Sequence, residues 1–277
     1  MMVTFSVFAD EIAHSLKDQM DACRGQGIRC IDVRAIDRKN VSEMSLAEAR
    51  QDAGQLRDGG FTVPCIGSPI GKIRISDDFE SHLDLLKHSM DVAEALGTRL
   101  VRVFSFYPSK GAAVEDQRAE VMDHIRRMVE LAEAAGFTLM HENEQHIYGR
   151  NPKGVKDIFA TIRSDHLKCI FDPANFISEG VAPYDDAWSQ GLDKLTEYFH
   201  IKDKTYGAKT CVPAGEGDGQ FERIFADLER RGWSGYMTLE PHMAAAGQFS
   251  GFTGPQLFVK AAEALKALCE RTGIEYN

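Results

Sequence analysis

The chain has no Cys-x-x-Cys pair, no long apolar run and no surplus of basic charge, and each absence closes off a class of protein. Its six cysteines (Cys23, Cys30, Cys65, Cys169, Cys211 and Cys269) are scattered. They read as reduced, mostly buried thiols in a reducing compartment rather than as a disulfide framework. No apolar run approaches the roughly 18 residues needed to span a bilayer, so no membrane partner is expected. Met1 to Phe8 carries no basic residue and Asp10-Glu11 follow at once, which predicts a cytoplasmic protein without a signal peptide. Against 42 acidic residues stand 32 Lys and Arg, a formal net charge of -10 with pI about 5.4. That balance argues against nucleic acid, whose binding rests on neutralising phosphates. Pro/Ser-rich linkers, low-complexity tracts and charge blocks are missing too, so residues 1–277 are expected to form one domain.

What is present is a repeating pattern. With 277 residues and 43% hydrophobic composition, the chain can bury a substantial core. Gly27, Gly60, Gly97 and Gly136 each close a helical stretch just before an apolar run, and Gly232 repeats the signal near the end. Phe221, Ile224, Phe225 and Leu228, then Phe258, Ala261, Ala262 and Leu265, fall at helical spacing, and Leu86, Met90 and Ala93 continue it. Strands are expected at about 4–8, 30–34, 61–66, 99–105, 137–141, 167–171, 197–201 and 235–239. Eight alternating units with nothing left over predict an α/β fold, a single (β/α)8 TIM barrel.

Four motifs carry the chemistry: His141-Glu142-Asn143-Glu144, Asp172-Pro173-Ala174-Asn175-Phe176, His200-Ile201-Lys202-Asp203 and Leu239-Glu240-Pro241-His242. Each follows a short apolar run at once, as a buried parallel strand does when it delivers a polar residue at its C-terminal edge. Candidate ligands at 142, 172, 200 and 240 are separated by 30, 28 and 40 residues, about the length of one strand-helix-strand unit. Three carboxylates and one imidazole make an oxygen-rich site suited to Mn²⁺, Mg²⁺ or Co²⁺, and zinc also takes such ligands. A divalent ion there acts as Lewis acid and template for a hydroxy-carbonyl substrate, stabilising an enediolate after loss of the proton alpha to the carbonyl. Flanking carboxylates would serve as base and acid.

These motifs, together with Phe8-Ala9-Asp10-Glu11-Ile12, Ser68-Pro69-Ile70-Gly71-Lys72-Ile73, Arg102 to Tyr107 and Pro213 to Gly219, resemble the xylose-isomerase-like TIM-barrel superfamily over the whole chain. That sugar phosphate isomerase/epimerase group includes ketose 3-epimerases, inosose dehydratase and endonuclease IV. The resemblance implies Glu142, Asp172, His200 and Glu240 as metal ligands, with Mn²⁺ the expected ion. It also implies Glu142 and Glu240 as the proton-transfer pair of a metal-dependent isomerase or epimerase, acting on a keto sugar, keto polyol or related carbohydrate-like small molecule. Two positions depart from the ketose 3-epimerase pattern. Asn175 stands where those enzymes have a histidine three residues after the metal aspartate, and Tyr206 stands where they use an arginine. An inosose-type dehydratase is the close alternative. A nuclease of the endonuclease IV type is disfavoured by the acidic charge and by the few histidines at strand exits. A non-catalytic sugar-binding barrel is the third reading. Barrels of this group often associate, so a homo-oligomer is an open expectation.

Several neighbours have two readings each. Lys202 would hold a substrate oxygen or merely pair with Asp203, and His242 would donate to substrate or orient Glu240. Arg102 would neutralise an anionic substrate or balance the carboxylates. Glu144 shares the side of Glu142 if the strand continues, whereas His141 points away and packs against a helix. Glu11 follows the first strand. Lys72 and Arg74, after the third, are candidates for an anionic group. The Gly215–Gly219 loop invites a phosphate, but Glu216 and Asp218 would repel one, so a tight loop helping to cover the site is preferred.

Overall fold

The computed structural model describes residues 2–246 and 251–277. Six strands form one parallel sheet in the order β1 (Thr4–Val7), β8 (Tyr236–Leu239), β7 (Thr196–Ile201), β6 (Leu167–Phe171), β5 (Thr138–Glu142) and β4 (Leu100–Val103). Two short hairpins, β2–β3 (Ala35–Ile36, Lys39–Asn40) and β9–β10 (Ala245–Ala246, Gly251–Phe252), lie apart from it. Among the described residues eight α-helices intervene: α1 (Leu16–Gly25), α2 (Leu46–Asp58), α3 (Phe79–Leu96), α4 (Arg118–Ala134), α5 (Pro152–Thr161), α6 (Pro173–Ser178), α7 (Phe221–Arg231) and α8 (Pro255–Thr272). The glycine signals hold: Gly97 and Gly232 cap α3 and α7 at φ 90° and 64°, where a Cβ would be strained. The helical stripes at 221–228, 258–265 and 86–93 are all buried in one core that runs from Val3 to Ile274.

The expected strands at 30–34 and 61–66 do not form regular ladders. Those segments meet through isolated parallel bridges, Cys30 with Thr62 and Val33 with Ile66, and Ile66 in turn meets Val101 of β4. Pro64 gives the physical reason, because it has no N–H to donate in the middle of the second segment. The sheet therefore shows six regular strands where eight were expected.

Register decides which residues share a face. Glu142 pairs with Ile170, Ile170 with Tyr198, and Tyr198 with Tyr236. With a side-chain period of two, Asp172, His200 and Glu240 all fall on the face of Glu142. One irregularity makes this work. Cys169 pairs with Thr196 but Ile170 pairs with Tyr198, so Glu197 is an extra residue on β7. Such a bulge reverses the alternation beyond it and brings His200 into phase. On the shared face, Cys65, Met140, Ile170 and Tyr198 pack together as an apolar floor. The opposite face, with Leu139, Phe171, Phe199 and Met237, joins the larger core.

Candidate metal centre

Above the apolar floor the same face turns polar. Glu142, Asp172, His200 and Glu240 are all buried, and one ligand atom from each lies within 4.8 Å of the others. Glu142 ends β5, Asp172 caps α6 directly after β6, His200 lies on β7 and Glu240 follows β8. Asn143 locks two of these exits together: its amide donates to the Asp172 carbonyl at 2.9 Å and accepts from the Asp172 N–H at 2.9 Å.

Cations surround the quartet. Lys202 Nζ sits 2.7 Å from Asp172 Oδ2 and 3.2 Å from Glu240 Oε2. Arg34 donates to Glu240 Oε1 at 2.9 Å and to Asp10 at 2.8 Å, and lies 3.4 Å from Glu11. Arg102 lies 3.2 Å from Glu142 Oε2. Both guanidiniums stack over Phe8, at 4.8 Å and 4.9 Å from the ring centroid, which holds them in place by cation–π attraction. Burial disfavours a charged His200, but Glu142 and Glu240 at 3.0 Å and 3.4 Å from Nδ1 outweigh it and raise its pKa to about 9. His242 rises to about 9 in the same way, against burial, between Glu11 at 3.0 Å and Glu240 at 3.3 Å. Burial also acts against Glu142, but His200 and Arg102 bring it down to about 2. Asp172 moves the other way, to about 7, because burial and its two glutamate neighbours exceed the pull of Lys202.

A cation suits this set. Five carboxylates (Asp10, Glu11, Glu142, Asp172, Glu240) face three permanent cations (Arg34, Arg102, Lys202), an excess of acid that favours the protonated form of His200 and His242 and pushes Asp172 up. Glu142 Oε2, Asp172 Oδ2 and His200 Nδ1 are buried without a well-formed hydrogen bond among the described residues, although each has a charged neighbour. Oxygen and imidazole donors with unused capacity are what a divalent ion takes.

A cavity of about 320 Å³ lies next to the quartet, separated from it by a layer of side chains, and none of the four lines it. Asn175, Lys202 and His242 line it, and each touches a member of the quartet; Asn175 does so through a 3.2 Å hydrogen bond to Glu142. Glu144 lines the same cavity and pairs with Lys72 at 2.9 Å, while Lys72 itself borders an adjoining depression with Arg74. Glu11 is fully buried behind His242, accepting from the His242 N–H and from Thr253 Oγ1 at 2.9 Å each. His141 faces away, its ring 6.2 Å from Phe159 of α5. Tyr206 is exposed, outside the cavity wall.

Lys202 does not pair with Asp203. That carboxylate accepts instead from the N–H groups of Lys204, Gly215, Gly217 and Gly219, at 2.7, 2.8, 3.0 and 2.9 Å. The glycine loop is thus filled by an internal anion. Sequence reasoning places Arg34 at the exit of the 30–34 segment, on the face where the site lies, but assigns it no role there. It missed Lys204 and Lys209, which sit on an irregular loop without a periodic signal.

A buried carboxylate-histidine quartet at successive strand ends, on a curled parallel sheet wrapped by helices, defines a class of TIM-barrel proteins. The chain belongs to the xylose isomerase-like TIM barrel family, whose model matches residues 20–268. Its fold is similar to a D-tagatose 3-epimerase-like protein (TM-score 0.76, 17% identity, 98% of each chain). It is similar also to a probable 3-DHS dehydratase involved in petrobactin synthesis from Bacillus anthracis (TM-score 0.72, 16% identity, 96% of this chain and 99% of that one). A xylose isomerase domain protein from Alicyclobacillus acidocaldarius subsp. acidocaldarius has a TM-score of 0.73 at 17% identity, over 99% of this chain and 100% of that one. No curated protein matches the chain in sequence. At such identities the likeness speaks for the fold.

Proposed function

We propose that the chain is a divalent-metal-dependent isomerase or epimerase of a keto sugar, keto polyol or related hydroxy-carbonyl compound, with Glu142, Asp172, His200 and Glu240 as ligands. The observation that carries this reading is the convergence of that quartet within 4.8 Å, in contact with Asn175, Lys202 and His242, which line a cavity of about 320 Å³. The volume suits a small molecule. We further propose that residues 1–277 act as one domain, with segments 30–34 and 61–66 completing a (β/α)8 barrel; the bridges at Cys30, Val33 and Ile66 support this.

One divalent ion held there, Mn²⁺ before Mg²⁺, Co²⁺ or Zn²⁺, would supply Lewis acidity at a substrate carbonyl oxygen. The side chains do the rest. Glu142 and Glu240 are both held below the usual carboxylate range, so they are ionised at neutral pH and able to accept the proton alpha to the carbonyl. Epimerisation is completed when the other glutamate, having taken up a proton from solvent, delivers it to the opposite face of the carbon, so the new C–H carries a solvent hydrogen. Asn175 and Lys202 present N–H donors on the cavity wall to orient substrate hydroxyls.

Dehydration is a second reading, and His242 favours it. A protonated imidazole on the wall is an acid that can donate to a departing beta-hydroxyl. NMR in D₂O over a panel of keto sugars and polyols tests both: epimerisation exchanges one C–H, whereas dehydration releases water. Metal binding is tested by thermal stability of stripped protein with and without Mn²⁺. At 100 times its dissociation constant the ion adds about 2.7 kcal/mol, and Asp172→Ala and His200→Ala are expected to abolish the shift. A shift retained in both variants would refute the ligand assignment.

A further inference from the structure

We propose that the substrate of this site carries a carboxylate, held at the outer wall of the cavity by the ammonium groups of Lys204 and Lys209. The inference rests on the hydroxy-carbonyl reading above and adds the charge of the molecule to it.

Three observations carry it. First, the wall is basic in a chain of net charge -10: Lys202, Lys204 and Lys209 line the cavity, and Glu144, the acidic group among them, is taken by Lys72 at 2.9 Å. Second, the two outer lysines are not spent. Lys202 is neutralised by Asp172 and Glu240, but among the described residues neither Lys204 nor Lys209 has a carboxylate within 4.0 Å. Among the described residues Lys204 Nζ meets a neutral group, donating to Ser178 Oγ at 3.0 Å on the cavity wall. Third, the segment presenting them is built to hold its shape. The Lys204 N–H donates to Asp203, and its carbonyl accepts from the Asp218 N–H at 2.9 Å. Gly217 leaves room for that carbonyl, since a Cβ there would overlap both Asp203 and Lys204. Val212 bridges back to Asp203, and the Cys211 N–H donates to the His242 carbonyl at 3.4 Å, tying the loop to the inner wall.

Carboxylate is favoured over phosphate by the same loop. Phosphate sites use convergent backbone N–H groups, and those of Gly215, Gly217 and Gly219 are consumed by Asp203. Two separate ammonium groups remain, which act as point charges.

The test uses the Mn²⁺-loaded full chain and three probes that share one six-carbon keto skeleton and differ at C6: D-fructose, D-fructuronate and D-fructose 6-phosphate. By titration calorimetry at low salt, D-fructuronate is expected to bind about tenfold or more tightly than D-fructose, the scale of a charged hydrogen bond. Added NaCl should narrow the gap. Lys204→Gln and Lys209→Gln should bring the ratio toward one, and Lys204→Arg should keep most of it. Equal affinity for D-fructose and D-fructuronate overturns the proposal, as does a ratio that survives in both Gln variants or a tighter fit for the phosphate. Should the variants not fold, a wild-type preference insensitive to salt overturns it. Mn²⁺ uptake without binding of any probe sinks it as well. Absence of Mn²⁺ uptake defeats the enzyme reading itself, whereas binding of Mn²⁺ and D-fructose with no preference for the acid defeats only the carboxylate.

Discussion

The two halves of the sheet differ in how they serve the site. From β5 to β8, continuous parallel ladders, shifted once at the Glu197 bulge, deliver one quartet residue at or beside each strand end. In the half containing segments 30–34 and 61–66, pairing is reduced to single bridges, and the contribution is Arg34, a cation that balances charge. The difference teaches that a ligand constellation needs register, whereas charge compensation needs only proximity. An arginine on a flexible stem reaches Asp10, Glu11 and Glu240 from an irregular backbone.

Removing the device that sets register should have the largest effect. Deleting Glu197 takes out the bulge and turns residues beyond it to the opposite face, so His200 would leave the quartet. A loss above about 4 kcal/mol, or no folded protein, is expected, together with absent Mn²⁺ binding. Calorimetric Mn²⁺ binding at wild-type strength in the deletion would show that β7 register does not matter. Next comes Arg34→Ala, which strips partners from buried carboxylates and is expected to cost about 3–5 kcal/mol in urea unfolding. A cost below 1 kcal/mol would mean that the irregular half contributes little. Gly251→Ala sharpens the comparison from another side. A Cβ there would overlap the His242 ring, and His242 already sits at φ 44°. Overpacking of this kind costs about 1–3 kcal/mol, and turnover should fall with it; unchanged stability and rate would argue that the His242 position is slack.

The smallest effect at neutral pH concerns His82 in the irregular half. Burial lowers its pKa to about 4, and its Nε2 accepts from the Gly71 N–H at 2.7 Å, a bond that protonation would break. Between its ordinary value of 6.5 and about 4, the unfolded chain binds a proton that the folded chain refuses. Stability therefore falls as pH drops through that window, by at most about 1.4 kcal/mol per pH unit, and is unaffected above it. His82→Gln should lack this component, so the unfolding midpoints of the two proteins should diverge on acidification. Parallel curves would contradict the assignment.

Much of this was legible in the sequence because short apolar runs ending in a charge are local signals. All four quartet residues were named from them, and Asn175, Lys202, His242, Arg102 and Glu11 do gather around the quartet. The Gly215–Gly219 loop was read as a tight turn, but what holds it lay out of reach: Asp203 is separated from the loop in sequence, and only folding brings it under the amides. The ladder failure at 61–66 was signalled by Pro64. The Glu197 bulge was not signalled, because an exposed residue within an apolar strand pattern reads as ordinary alternation. Lys204 and Lys209 escaped because a loop imposes no period.

The Asp203 loop is, in effect, a receptor that carries its own ligand on a tether. Because the carboxylate is covalently attached, its effective concentration at the amides far exceeds that of any dissolved anion. Free phosphate and chloride therefore compete poorly for it, and the segment keeps its shape whatever the salt around it. Shortening Asp203 to glycine would cut the tether and leave the same amides open to anions from solution, so that formate or acetate could rescue what the side chain once did.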